Sequence, residues 1–279
     1  MARRRQHWRM RGVVAGVGVV CCLGFGAAGC ARSDAVPQAP AGDPVRVLRE
    51  AAGALVDAGS SKARTSLEMA TGGTRVTIRG EGVYDYRRRL GRLKVLLPQD
   101  PAGDTVRRPI TELLAPGALF MKNRGAGVPA DKWVRVDTGT LSDGNLVTGG
   151  ATDPFAAAEV LRGTRSATFV GRTEVAGAKV RHYRGTADLK QASLAASDAN
   201  RGPLGAAAKG FATARVPFDV YLDDQGRIRK VRHRFSFVNG RQDEPVAVAS
   251  TTLLYDFGVP AEVRLPEDAD IYAGRIAAE

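Results

Sequence analysis

The chain has 279 residues, 44% of them apolar, with 41 Lys+Arg against 29 Asp+Glu and a formal net charge of +12. That apolar share excludes wholesale disorder, and the length allows one large domain or two small ones. The charge invites a nucleic-acid reading, which depends on where the charge sits.

Residues 1–11 hold Arg3, Arg4, Arg5, Arg9 and Arg11 and no acid, residues 12–29 carry no charge, and the stretch ends Ala27-Ala28-Gly29-Cys30. A basic segment, an apolar segment and small residues before a cut site make a secretory signal peptide over residues 1–29. Cys30, directly after the small residues, resembles the cysteine of a bacterial lipobox, which is acylated with diacylglycerol and becomes the new N-terminus. The usual pattern has Leu where Ala27 stands. Cys21 and Cys22 fit worse, because Val19 and Val20 precede Cys21 where small residues are wanted. An uncleaved anchor and ordinary secretion are the alternatives, the uncharged stretch being at the short end for a membrane span. Cleavage removes five arginines and no acid, taking the net charge from +12 to +7. It leaves Cys30 as the one cysteine and His182 and His233 as the histidines, so the mature chain has no disulfide and no cysteine metal site.

Residues 30–43 hold the lipidated terminus and a Pro- and Ala-rich flexible tether. Asp43-Pro44 then reads as an N-cap with proline at the first helical position. Val45, Leu48, Ala52, Leu55 and Val56 recur at helical spacing up to about Ala58, and Gly59 stops the helix. From Thr65 the period changes to two. Residues 66–70 and 75–79 flank a Gly72-Gly73 turn and predict a hairpin. Further strands are expected at 82–86, 90–97, 119–122, 133–137, 167–170, 179–186, 216–222, 229–238 and 246–257. This gives roughly ten or eleven short strands with turns between them, the pattern of an antiparallel sheet. Asp153-Pro154 opens a second helix through Leu161, and residues 187–214 read as helix in two pieces broken at Gly202-Pro203. No internal repeat is visible, which argues against propellers and solenoids. Residues 44–262 read as one β-rich domain, with residues 263–279 free to pack or to trail.

The chemistry is mostly negative. Neither histidine stands in a metal-ligand spacing, and no nucleophile elbow or phosphate loop is present. Gly125-Ala126-Gly127 lacks the strand and helix that a dinucleotide site needs. Asp223-Asp224-Gln225-Gly226 is a hairpin turn rather than a calcium loop, and Asp143 belongs to turn chemistry. Along residues 229–238, Val231, His233, Phe235 and Phe237 share one face, while Lys230, Arg232, Arg234 and Ser236 share the other. A hydrogen-bonded core or cavity histidine is therefore the expectation for His233, and His182 reads similarly. The basic stretches 87–94 and 227–234 are solvated strand faces and turns near anionic membrane or wall polymers. Export removes the usual nucleic-acid partners, so no nucleic acid is expected.

Several segments follow in one order: a lipobox, a tether, an amphipathic helix and then hairpins ending in Asp131-Lys132-Trp133-Val134-Arg135-Val136-Asp137. Asp153-Pro154-Phe155 opens the mid-domain helix, and Val175-Ala176-Gly177-Ala178-Lys179-Val180-Arg181-His182-Tyr183 precedes an Ala-rich helix. An apolar strand, an Asp-x-x-Gly turn and a basic strand close the series. This layout resembles the LppX/LprG-type lipoproteins of actinobacteria, relatives in fold of the LolA/LolB lipoprotein carriers.

The resemblance implies an α+β fold, a strongly curved antiparallel half-barrel with helices over its concave face. It also implies an apolar cavity for the acyl chains of an envelope lipid or glycolipid. Long acyl chains gain about 0.8 kcal/mol for each buried CH₂. Cavity candidates come from this chain's own alternation: Val231, His233, Phe235 and Phe237, with Phe218, Leu119 and Met121. The expected protein is non-catalytic and monomeric, needs no cofactor or metal, and is held by Cys30 on the extracytoplasmic face of the cell membrane. The alternative is a sensor or accessory lipoprotein that uses the same fold to bind a membrane or envelope protein.

Overall fold

The computed structural model describes residues 42–71, 74–98, 108–125, 127–148, 151–238 and 245–274, with no account of the side chains at 71, 74, 237, 238 and 245. The expected signal peptide, Cys30, the expected tether up to residue 41 and the expected Gly72-Gly73 turn lie outside the described residues.

Helix α1 spans Pro44–Ala58. The Asp43 carboxylate accepts from Val45 N–H, Pro44 sits in the first turn, and Gly59 ends the helix at φ 82°. Its buried stripe is Leu48, Ala51, Ala52 and Leu55. Strands β1 (Ser60–Thr71) and β2 (Thr74–Asp85) follow as a hairpin, registered Thr71 to Thr74. The two strands expected between residues 75 and 86 are therefore one. Gly80, which looked like a break, is a point of close packing: a Cβ there would meet Thr65 Oγ1 at 2.6 Å and Ala151 Cβ at 3.1 Å.

β3 (Leu90–Leu96), β4 (Ile110–Ala115), β5 (Ala118–Lys122) and β6 (Val134–Asp137) extend the sheet by antiparallel pairing on one side of β2. Helix α2 (Pro154–Val160) is capped by Asp153, whose side chain accepts from Phe155 and Ala156 N–H. The other half contains β7 (Thr164–Val175), β8 (Ala178–Asp188), β9 (Arg215–Leu222), β10 (Ile228–Val238) and β11 (Pro245–Tyr255). The sheet order is β6-β5-β4-β3-β2-β1-β11-β10-β9-β8-β7, antiparallel at every junction. β6 and β7 remain edges, so the sheet is an open half-barrel. Together with its helices it forms the α+β architecture expected from the sequence.

The Ala-rich segment differs from expectation. Helices α3 (Leu189–Ala195) and α4 (Asp198–Gly210) break at Ala196-Ser197, and Pro203 lies inside α4. Glu159 of α2, fully buried, explains the position of the break. It accepts from Ser197 N–H at 3.0 Å, Ser197 Oγ at 2.8 Å, Asn200 Nδ2 at 2.8 Å and Arg162 Nε at 3.1 Å. These bonds hold the chain at Ser197 more firmly than one missing N–H at Pro203 loosens the helix.

One large cluster joins the helices to the inner sheet face: Leu48 and Leu55 of α1, Phe155 and Val160 of α2, Leu204 of α4, and strand residues from Leu93 to Leu254. On the outer face a smaller cluster of Leu113, Ala118 and Phe120 is covered by Val263. The chain after β11 is bound there. Trp133 N–H donates to Asp270 O at 2.9 Å, and Tyr272 N–H donates to Trp133 O at 2.8 Å. Residues 263–274 thus pack against the domain, and residues 275–279 lie outside the described residues.

Candidate ligand-binding face

Strand alternation decides what points inward. On β1, Ser61, Ala63, Thr65 and Leu67 are buried, while Lys62 and Arg64 are exposed. Pairing carries this across neighbouring strands, because residues directly opposite share a face. Val231 of β10 stands opposite Thr252 of β11, which stands opposite Thr65 of β1 and then Gly80 of β2. One row further along the strands, Phe218 is paired with His233, His233 with Ser250, and Ser250 with Leu67.

The sequence candidates on β9 and β10 come together. Phe218, Val231 and Phe235 belong to the main core, and the His233 ring lies 6.4 Å from Phe218 and 5.7 Å from Phe235, centroid to centroid. Phe211, just past α4, stacks on Phe235 at 4.9 Å. Leu119 and Met121 also face inward. They sit on β5, six strands from β10 in the sheet order, and form a separate sector beside Leu114 and Glu112. The Phe237 side chain lies outside the described residues, and its backbone pairs with Val246.

His233 departs from the expected hydrogen-bonded histidine. It is 1% exposed and its Nε2 has no hydrogen-bond partner among the described residues. Burial pushes its pKa down to about 3, so the ring is neutral. Two hydroxyls of the same face, Thr65 Oγ1 and Thr252 Oγ1, are likewise buried and unpartnered. Ser250 is paired, with its hydroxyl 2.6 Å from that of Thr152, which in turn donates to Leu146 O. Leu146, Ala151 and Thr152 therefore cover this part of the sheet, with Ala151 against Gly80.

Sequence reasoning passed over Glu112. It lies on β4 opposite Leu93 and Met121, is fully buried, and neither carboxylate oxygen has a partner among the described residues. Burial raises its pKa to about 8, against a weaker pull from Arg124 in the other direction. A second missed group is the aromatic set of Tyr84, Tyr86 and Phe155 under α2, with ring centroids 5.1 to 6.5 Å apart. Asp153 lies beside it, 3.4 Å from Tyr84 Oη. Burial raises the Asp153 pKa to about 6, although bonds from Ala156 and Phe155 N–H act against the shift.

The outer face is polar and basic. Asp219 gathers His182, Arg184 and Arg234, each at 2.9 Å, and His182 stacks on Tyr221. Burial pushes the Asp219 carboxyl up, but those bonds outweigh it and hold the pKa below its ordinary value. His182, expected in the core or a cavity, thus lies instead on the outer face in the hydrogen-bonded cluster around Asp219. Among the described residues no group of three His, Cys, Asp or Glu side chains could hold a metal. No helix there is long and apolar enough to cross a membrane.

Fold and face together define an open antiparallel half-barrel, apolar and sparsely polar within and basic outside. No family model and no curated protein matches the chain. Among solved structures it is similar to the lipoprotein LppX of Mycobacterium tuberculosis at 9% identity and a TM-score of 0.44, over 78% of this chain and 99% of that one. LprF of Mycobacterium bovis follows at 13% identity and 0.38, over 80% and 96%. A LolA superfamily protein of Nitrosomonas europaea gives 10% identity and 0.34, over 76% and 93%. Likenesses this weak say nothing of the ligand.

Proposed function

We propose that this protein is a membrane-tethered, extracytoplasmic lipoprotein that binds and carries or presents a cell-envelope lipid or glycolipid against the inner face of its half-barrel, without catalysis. The observation that carries this reading is the pairing of an apolar interior with unpartnered polar atoms: Thr65 Oγ1, Thr252 Oγ1 and His233 Nε2. Leaving a buried hydroxyl or ring nitrogen unpaired costs about 1–3 kcal/mol each. A ligand with long apolar chains and an ester, amide or hydroxyl along them offsets that cost while keeping the interior apolar.

The cover over that face suits entry. α2 presents Ala156, Ala157 and Ala158, α3 presents Ala192 and α4 presents Ala207, all buried. Alanines make few contacts per residue, so beyond the anchors Phe155 of α2, Leu189 of α3 and Leu204 of α4 these helices hold the sheet through few atoms. Native mass spectrometry of the full-length protein purified from membranes tests the reading. A co-purifying lipid is expected, with occupancy reduced by Thr65→Val together with Thr252→Val. A protein that is empty after exposure to envelope lipid extract would overturn the proposal.

A further inference from the structure

The outer face of the sheet carries a trough that nothing above uses. Its floor is the start of β11 and the end of β1, where the outward residues Ala247, Ala249 and Ala70 are small. Arg232 and Arg234 on β10 form one wall, and Arg75 and Arg79 on β2 form the other. β10 and β2 are three strand spacings apart, roughly 14 Å. Between them lies a groove of about 180 Å³ bordered by Arg75, Arg232, Arg234 and the three alanines.

The charges are unequally occupied. Arg234 donates to Asp219 at 2.9 Å and Arg232 to Glu68 at 3.2 Å, each guanidinium keeping other N–H groups. Arg75 and Arg79 are exposed and have no ion pair among the described residues. Glu68 is the one acid in the groove, 36% exposed beside Arg232. Guanidinium forks bind phosphate oxygens in pairs, and the small alanines of the floor leave room beside Glu68 for a phosphate to come down between the walls.

We infer that this trough docks the protein on the phosphate headgroups of an anionic lipid bilayer. This rests on the tethered reading in one respect. The residues between Cys30 and Asp43 reach at most roughly 45 Å when extended, so the bilayer is the polyanion within reach of the domain. Docked in this way, the helix-covered inner face points away from the membrane surface.

The test uses residues 37–279, a compact unit that carries all the core clusters described above, so it does not depend on lipidation of Cys30. Flotation with vesicles of phosphatidylcholine containing phosphatidylglycerol, at low salt, reads the partition. Each arginine near an anionic surface contributes a factor of about five, so Arg75→Ala with Arg79→Ala should weaken binding about thirty-fold. Glu68→Gln should tighten it about five-fold. Both sets of substitutions are at solvent-exposed or half-exposed positions, and thermal unfolding checks that the fold is kept. The proposal is overturned if the double variant floats like the wild type, or if neutral vesicles bind equally. It is also overturned if Glu68→Gln weakens binding, or if the protein captures a soluble wall phosphate polymer but no vesicle.

Discussion

Glu112→Gln tests whether a carboxyl group is held in the core without a partner. In the folded protein its pKa is raised by burial from the ordinary 4.5 to about 8. The folded state therefore keeps the proton over a range where the unfolded chain has released it. The bound-proton difference makes stability fall as pH rises from about 4.5 to about 8 and then level off. At about 1.4 kcal/mol per pH unit, the whole effect is about 5 kcal/mol, of which about 4 kcal/mol falls between pH 5 and pH 9. A domain of this kind has only about 5–15 kcal/mol in total, so the loss is easily seen. Urea unfolding of residues 37–279 at both pH values, with and without Glu112→Gln, measures it. The glutamine is neutral at both, and its drop between pH 5 and pH 9 should be smaller than that of wild type by about 4 kcal/mol. Equal drops would mean that Glu112 ionises normally and is not enclosed by Leu93 and Met121 as described. Asp153 lowers alkaline stability in the same direction, but it is present in both proteins and cancels in the comparison.

Gly82→Ala should be among the most damaging small changes, because a Cβ there would stand 1.8 Å from the Arg92 carbonyl oxygen on β3. Prying β2 from β3 costs about 3 kcal/mol, and calorimetry should show a midpoint roughly 10 °C lower; an unchanged midpoint would contradict the β2–β3 register. Cys30→Ala should abolish incorporation of radiolabelled palmitate in cells. Labelling equal to that of wild type would refute the lipobox reading.

What was legible in the sequence follows from how strongly each segment is punctuated. Asp43-Pro44 and Asp153-Pro154 mark two helix starts because an Asp cap and a first-turn proline act locally. The alternation on β10 put Val231, His233 and Phe235 on the buried face, as their shared exclusion from solvent bears out. β4 escaped notice because it does not alternate: Glu112, Leu113 and Leu114 are all buried. Its outer face is covered by Val263, from a segment more than a hundred residues later, which no local pattern announces. The helix break at Ser197 was misplaced for the same reason, since the deciding partner, Glu159, belongs to another helix. The polar atoms of the inner face were hidden too. Thr65 and Thr252 are ordinary strand residues, and only the cross-strand register puts them opposite each other.

That register also ties the two proposed surfaces together. Thr65 and Leu67 point inward while Ser66 and Glu68 point outward, so slipping β1 by one residue would exchange the inner face for the trough. Two glycines fix neighbouring registers, Gly82 that of β2 on β3 and Gly185 that of β8 on β7. Gly82 is the point on β2 where β3's Arg92 carbonyl comes closest, and Gly185 on β8 leaves space for Ser166 O and the Phe218 ring, which a Cβ would meet at 2.1 and 2.8 Å. Any residue other than glycine shifted into either place would clash with the neighbouring strand. Gly82 pairs directly with Ala63 of β1, and Gly185 lies two strands from β10. An apolar interior and an arginine-walled exterior are thus consequences of one alignment, and a variant that disturbs it should lose lipid occupancy and vesicle binding together.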